Sequence, residues 1–252
     1  MGKRIVLSLE DDFFLVIHLM IAGRFVWSTE KKLPSRKIGL AVFVFENGRL
    51  FFTEAGTKRR ASLHAVHGRE NLAAFDRGGL EITGSTGEAF GDTLRRENHT
   101  LKRALTDPRL FSGIGNSYSD EILHRAGLSP FKQTRGLNQE EITRLHTAVI
   151  AVLDEWTKRL REETGDGFPK KVTAFRKEMA VHGKYGEPCP VCSTPVQRIR
   201  YAENECNYCP VCQTGGKLLA DRALSRLLKS DWPSTAEELE NMKRDNGITN
   251  SG

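Results

Sequence analysis

The chain has 252 residues, of which 38 % are hydrophobic and 28 % are charged, a composition typical of globular proteins rather than of disordered or fibrous ones. No apolar run approaches the roughly 20 residues that a membrane span needs. Asp11 and Asp12 precede the most apolar run, where a signal peptide would carry positive charge, so we expect a cytoplasmic protein with no membrane partner. The net charge of +6 and the pI of about 9.1 fit an anionic partner, nucleic acid first, and fit a solvated basic surface equally well.

The first fifty residues predict a β-rich part. Residues 4–9 and 13–21 are strand-like runs separated by a polar turn, and the second run is too short and too β-branched for a helix. Residues 40–45 and 49–53 flank Asn47-Gly48. This dipeptide predicts a hairpin because both of its residues tolerate a positive φ.

Helical periodicity begins near Glu88 and places Leu94, Leu101 and Leu105 on one face. A second face of this segment is basic and comprises Arg96, His99, Lys102 and Arg103. A longer amphipathic helix follows Asn138, which suits an N-cap. The apolar stripe of this helix, which we interpret as core packing, consists of Ile142, Leu145, Val149, Leu153, Trp156 and Leu160.

Four of the five cysteines form two Cys-Pro-Val-Cys pairs, separated by sixteen residues. They are Cys189, Cys192, Cys209 and Cys212. In a cytoplasmic protein this spacing favours one tetrahedral Zn²⁺ over a disulfide framework or redox pairs. A site with four protein ligands has no open position, so its role is structural, and metal binding supplies folding energy to so small a module. Residues 196–201 and 203–208 are long enough for a hairpin, and we expect Cys206 to be a spare buried thiol.

Ser112-Gly113-Ile114-Gly115-Asn116 precedes a helical stretch at residues 118–125. The two glycines allow a sharp turn, and the helix N-terminus that follows offers unpaired N–H groups to a phosphate, with Asn116 as a further donor. On its own this pattern is explained better by an ordinary corner between two helices.

Three motifs resemble the formamidopyrimidine-DNA glycosylase/endonuclease VIII family. Along the chain they occur in the order of that family, with the strands first, the helical signature second and the zinc finger last. Residues 107–130, DPRLFSGIGNSYSDEILHRAGLSP, resemble its helix–two-turn–helix signature. VHGKYGEPCPVC at 181–192 and YCPVCQ at 208–213 resemble its zinc finger, while GKRIVL at 2–7 and IHLMIAG at 17–23 resemble two strands of its β-sandwich. The resemblance implies an α+β fold with a partial β-sandwich domain at 1–85, a helical DNA-binding domain at 86–178, a zinc finger at 179–215 and a C-terminal extension at 216–252.

The resemblance also implies base-excision repair of duplex DNA that carries oxidised bases or abasic sites. Family members flip the damaged nucleotide out of the stack, because its reacting carbon is unreachable inside the helix. The amine of an N-terminal proline then forms a Schiff base, β,δ-elimination nicks the strand, and a neighbouring glutamate acts as acid and base.

The sequence opens at a strand lysine of the family pattern, so no residue of this chain matches the proline or the glutamate. A misplaced start codon, a gene fragment and a natural truncation each account for this, and the genomic DNA upstream of Met1 decides among them. If this chain acts alone, the α-amine of Gly2 or the side chain of Lys3 is the candidate catalytic amine.

Further DNA contacts are carried over one position at a time. Lys3 matches a lysine near the flipped nucleotide, His18 and Asn116 match phosphate-binding residues, and Ile21 falls where an apolar wedge replaces the lost stacking. For His18 the alternative is a satisfied core histidine.

The remaining contacts are arginines. Arg59 or Arg60 falls near the arginine that faces the orphaned partner base, in a loop whose register is open because Ala61 stands where the family often has a phenylalanine. Arg198 or Arg200 replaces a zinc-finger arginine that aligns with Asn204.

Two other functions remain open at this stage. A non-catalytic, zinc-dependent module for damaged DNA needs only the two-turn motif, the finger and the basic face. An RNA-binding protein would share the helical motif, but the strand lysine and the cysteine pairs argue against it. We expect a monomer in either case, and we have no functional account of residues 218–229.

Overall fold

A computed structural model describes residues 1–30, 33–169, 172–201, 204–219 and 233–245. They divide into two units, Met1–Arg77 with Thr157–Thr173 and Gly78–Trp156 with Ala174–Gly252. The first unit is built on strands and the second on helices, so the predicted α+β class is confirmed. None of the helices in these residues has the length and hydropathy that a bilayer crossing requires.

The first unit contains two antiparallel three-stranded sheets, one of which has the order β1-β2-β6. Its strands are β1 Arg4–Ser8, β2 Phe13–His18 and β6 Ser62–His67. The polar turn before β2 forms as predicted, and Asp11 and Asp12 take φ values of 53° and 56°, which short polar side chains tolerate. The predicted strand at 13–21 was too long: β2 ends at His18, and Met20 adopts a φ of 53° in the turn that follows.

The second sheet has the order β3-β5-β4. Its strands are β3 Gly23–Ser28, β4 Gly39–Phe45 and β5 Gly48–Glu54. The predicted hairpin forms, but for a different reason, since Phe45 pairs with Gly48 and neither Asn47 nor Gly48 has a positive φ. A Cβ on Gly48 would lie 2.4 Å from the Trp27 ring, so the glycine provides room for a close approach rather than a special turn conformation.

Helices form the second unit, and the first predicted helical segment is in fact two helices. The helices are α1 Gly87–Arg95, α2 Leu101–Thr106, α3 Asn116–Ala126 and α4 Gln139–Thr164. Thr86 is the N-cap of α1 and Thr100 is the N-cap of α2, so α1 ends before Thr100 and a new helix begins after it. Leu94, Leu101 and Leu105 share one core as predicted, but Lys102 does not belong to an exposed basic face, because only 11 % of its side chain is accessible.

The predicted N-cap of α4 is confirmed. Asn138 Oδ1 accepts from the backbone N–H of Glu141 at 2.9 Å, and Glu141 Oε2 accepts in return from the N–H of Asn138 at 3.1 Å. This reciprocal capping box fixes the start of the helix. Most of the predicted stripe is core: Ile142, Leu145, Val149 and Trp156 are buried, and Leu153 packs against them.

The hairpin predicted between the two cysteine pairs consists of β7 Gln197–Tyr201 and β8 Asn204–Tyr208. A short helix α5, Pro210–Thr214, follows it, and α6, Ala236–Asp245, lies in the C-terminal extension. Leu219 donates its backbone N–H to the Tyr208 hydroxyl at 2.8 Å, so the extension begins against the hairpin. Most of the segment at 218–229 for which we had no account, residues 220–229, lies outside the described residues.

Candidate metal centre and nucleic-acid interface

The two Cys-Pro-Val-Cys pairs converge on one point of the second unit. The Sγ atoms of Cys189, Cys192, Cys209 and Cys212 all lie within 4.8 Å of one another. The Cys192–Cys209 and Cys189–Cys212 sulfur distances are 3.3 and 3.8 Å. Four sulfurs placed about 2.3 Å from a tetrahedral ion are about 3.8 Å apart, so the donor set needs only small shifts to hold such an ion.

Local hydrogen bonds orient the cysteine sulfurs and change the pKa of their thiols. The backbone N–H of Cys212 donates to Cys209 Sγ at 3.5 Å. Burial opposes ionisation of Cys192, but hydrogen bonds from Thr194 outweigh it and lower the pKa of this thiol to about 6, whereas burial raises the pKa of Cys209 to about 11. A cation held by these four cysteines would displace the remaining thiol protons, because only thiolates are strong ligands.

The fifth cysteine stays outside the cluster, as predicted. Cys206 lies on β8 and is completely buried. Burial first, and the carboxylate of Asp120 second, raise the pKa of its thiol, which therefore remains protonated.

The two-turn motif is joined to the hairpin of the finger. Gly113 has a φ of 85°, which glycine adopts without strain, and Gly115 is the N-cap of α3. Asn116 begins the helix, and its Nδ2 donates to the backbone oxygen of Glu205 at 2.9 Å. The helix N-terminus predicted to hold phosphate therefore contacts the hairpin between the two cysteine pairs in the second unit.

A buried carboxylate on α3 organises this junction. Asp120 is completely buried, and its Oδ1 accepts from Lys102 Nζ at 2.6 Å, while its Oδ2 lies 2.8 Å from His182 Nδ1. Lys102 Nζ also donates to the backbone oxygen of Asn116 at 2.7 Å. The neighbouring Glu121 accepts from the backbone N–H groups of residues 180–182 at 2.7–2.9 Å. Asp120, Glu121 and His182 were not predicted as site residues.

The two candidate arginines of the hairpin differ. The guanidinium of Arg198 lies over the Tyr185 ring, 4.2 Å from its centroid, and 4.0 Å from Glu205 Oε2. Arg200 is exposed on the same strand. The side chain of Asn204, to which the family's finger arginine was aligned, lies outside the described part of the chain. Arg200 is the more exposed of the two.

In the first unit, Lys3 and His18 lie at the end of the β1-β2-β6 sheet where β1 begins and β2 ends. Arg4 pairs directly with His18 across the strands. Desolvation first, and the positive charges of Arg4 and Lys3 second, lower the pKa of His18 below 6.5, and burial lowers the pKa of Lys3 below 10.5. His18 is half-buried and lies beside two cations, Arg4 and Lys3.

The turn between β2 and β3 presents Ile21, which is 75 % exposed. A Cβ on Gly23 would lie 2.2 Å from the backbone oxygen of Leu19, so this position requires glycine. Arg24 Nη1 donates to the backbone oxygens of Ile21 and Gly23 at 2.8 and 2.7 Å. A large apolar side chain is thus exposed on a turn that Arg24 braces. Arg24 was not predicted to brace this turn, although an arginine directly after a turn glycine is a usable signal.

The loop with Arg59 and Arg60 is fixed through its backbone. Buried Glu54 accepts from the N–H groups of Arg60 and Ala61 at 3.0 and 3.2 Å. Arg59 donates to the backbone oxygen of Lys37, and both arginine side chains are exposed. The side chain of Arg59 is thus held against the protein, which leaves Arg60 better placed to reach a partner.

Comparison with known proteins places these features in one family. The model of the formamidopyrimidine-DNA glycosylase H2TH domain matches residues 83–164. A formamidopyrimidine-DNA glycosylase of Thermus thermophilus is 34 % identical over 234 residues, which cover 85 % of this chain and 80 % of that protein. The chain belongs to the formamidopyrimidine-DNA glycosylase family. The predicted resemblance is therefore confirmed.

Two further relatives add detail. An uncharacterized formamidopyrimidine-DNA glycosylase-like protein of Mycobacterium tuberculosis is 44 % identical over 129 residues, 51 % of this chain and 80 % of that one. The solved structure of the Lactococcus lactis glycosylase in complex with DNA containing an abasic site has a TM-score of 0.72 at 27 % identity, over 85 % of this chain and 80 % of that one. The formamidopyrimidine-DNA glycosylase fold thus extends over both units.

Proposed function

We propose that this protein is a base-excision-repair DNA glycosylase that binds duplex DNA carrying oxidised bases or abasic sites, and that Zn²⁺ occupies its four-cysteine cluster. The observation that carries the proposal is the bond between Asn116 and Glu205, because it unites a helix N-terminus and a metal-dependent hairpin in one phosphate-binding surface. Membership of the glycosylase family supports the same conclusion. Residues 86–178 and 179–215 are the two modules that supply this surface.

Each remaining candidate has a proposed role in this binding mode. Asn116, His18 and Arg200 contact backbone phosphates, which position the duplex without reading its sequence. Arg60 faces the partner base. Arg59, next to Arg60, and Arg198, on the same strand as Arg200, supply further positive charge to the DNA. Phosphate contacts release counterions, so affinity for any duplex falls steeply as salt rises.

The apolar wedge provides the first test. Changing Ile21 to Ser should reduce the preference for an abasic-site duplex over an undamaged one by about tenfold, because a polar side chain cannot replace the lost stacking. Affinity for undamaged duplex should stay the same. Fluorescence anisotropy with both duplexes at one salt concentration measures the ratio.

Val44→Ser is the matched control, since Val44 lies in the same unit and is 71 % exposed, close to the exposure of Ile21. It should leave both affinities unchanged. An Ile21→Ser protein that still discriminates fully would remove the wedge from the proposal, and a wild-type protein without preference for DNA over a neutral polymer would remove the function.

Strand nicking is the finer part of the proposal. An amine that attacks the sugar of an abasic site forms an imine, which then withdraws electrons and permits elimination of the phosphate. Lys3 is the candidate side chain, because it matches the family's strand lysine near the flipped nucleotide, and partial desolvation lowers its pKa. The α-amine exposed by removal of Met1 is the other candidate.

A non-catalytic module for damaged DNA is the second candidate function, favoured because the phosphate-binding surface of the second unit is complete without any amine. Borohydride reduction of the protein on abasic-site DNA separates the two. An enzyme gives a covalent adduct, and peptide mapping locates it on Gly2 or Lys3. If Lys3 is the reacting amine, Lys3→Ala should lower the yield of the adduct. Tight binding without an adduct identifies the binding module.

A further inference from the structure

An imidazole from α3 touches one sulfur of the metal cluster. His124 Nε2 lies 3.3 Å from Cys189 Sγ, and both side chains are buried. His124 stands near the C-terminal end of the helix whose first residue is Asn116. One helix therefore ends beside the cysteine cluster and begins at the two-turn motif.

The charge of the loaded cluster explains why such a contact matters. Four thiolates and one divalent cation carry a net charge of −2, and a buried anion is costly unless N–H or O–H groups donate to it. Cys212 N–H and Thr194 supply donors from within the finger. His124 approaches Cys189 from the helical segment, 65 residues earlier in the chain.

We propose that the neutral imidazole of His124 donates its Nε2–H to the metal-bound thiolate of Cys189 and so slows metal loss and fastens the finger to α3. The proposal rests on the metal site of the proposed function. His124 is a positioning residue, because it acts on the ion through Cys189. Only the tautomer with hydrogen on Nε2 can make this bond, since a thiolate has no hydrogen to donate.

Two properties of the cluster follow. A thiolate that accepts a hydrogen bond is less basic and less nucleophilic, so both its protonation, which precedes metal release, and its alkylation become slower. Loss of a partner that orients a metal ligand typically costs about 10–100-fold in metal affinity. The finger's grip on α3 weakens at the same time, because this bond links the two.

Two substitutions separate donation from packing. His124→Phe keeps a flat ring but has no donor, whereas His124→Gln places an amide N–H near the position of Nε2. With the full chain loaded with Zn²⁺, release of the ion to a chromogenic chelator should be at least tenfold faster in His124→Phe. In His124→Gln it should stay within about twofold of wild type, and iodoacetamide labelling of Cys189, located by mass spectrometry, should follow the same order.

His146→Phe is the control, since His146 contacts Ser85 and the Phe90 ring and should leave release unchanged. Equal release rates in His124→Phe and wild type would overturn the proposal, as would equally fast release in the Phe and Gln variants, which would indicate packing alone. A wild-type protein that binds no metal would instead refute the metal site itself.

The wild-type protein gives an independent answer if the Phe variant does not fold. ¹⁵N NMR of the zinc-loaded protein distinguishes the two imidazole tautomers. Hydrogen on Nε2 of His124 supports the proposal, and hydrogen on Nδ1 alone contradicts it.

Discussion

Removal of the metal from the four-cysteine cluster is expected to unfold the finger and to abolish tight binding to duplex DNA. Among the described residues, the buried cluster around the cysteines consists of Val181, Cys189, Val196 and Cys209, so two of its four members are candidate ligands. So small a core cannot offset the entropy of ordering the chain, and bound zinc contributes about 10–16 kcal/mol to comparable modules. Hydrogen exchange of β7 and β8, measured before and after chelation together with the duplex Kd, tests this expectation.

The α1–α4 core should survive the same treatment, because it contains 21 buried residues and none of the four ligands. Cys206→Ser serves as the control for cysteine chemistry: it lies outside the cluster and should retain one Zn²⁺ per chain, whereas Cys192→Ser should lose it. Unchanged exchange protection in β7 and β8 after complete metal removal would show that the finger folds without its ion.

The ligands of this site were readable from the sequence because their information is local. Two residues between paired cysteines fix the chelate geometry, and no other fold contact is needed to recognise it. The same holds for the capping box of Asn138 and Glu141 and for the turn at Asp11-Asp12, where neighbouring residues alone decide the conformation.

The structure differs from the prediction where distant residues decide. Strands β3 and β6 were not predicted, because their partners, β5 and β2, lie far away in the sequence. Gly48 was predicted as a turn residue, yet glycine is needed there because any side chain would collide with the Trp27 ring. Lys102 looked like part of an exposed basic face, yet its partner Asp120 is 18 residues away on another helix.

Asp120 is the clearest example of information that tertiary packing supplies. On α3 it is fully buried, and consecutive residues 119–124 are all buried as well, so this helix turn is surrounded on every side. A surface helix would expose the acidic residues of that segment. Buried carboxylates persist only where donors surround them, and here Lys102, His182 and Asn207 approach the same group.

Substitution of Asp120 by Ala should therefore destabilise the second unit by about 3–5 kcal/mol, the cost of leaving a buried charge without its partner. Lys102, with 11 % of its side chain accessible, would keep its ammonium group without the carboxylate that it now contacts at 2.6 Å. Urea unfolding of the zinc-saturated protein, at one fixed zinc concentration, measures the difference in free energy of unfolding.

Glu155→Ala is the matched control, because the Arg125–Glu155 pair has a similar distance of 2.7 Å but both side chains are about half exposed. Exposed pairs contribute about 0–1 kcal/mol, so this variant should remain close to wild type. The double variant Asp120→Leu, Lys102→Met removes both charges and should recover much of the loss, since the penalty comes from the orphaned ammonium rather than from the missing attraction. If Asp120→Ala costs no more than Glu155→Ala, the buried cluster does not hold the two-turn motif against the finger, and the Asn116–Glu205 bond would have to perform that task alone.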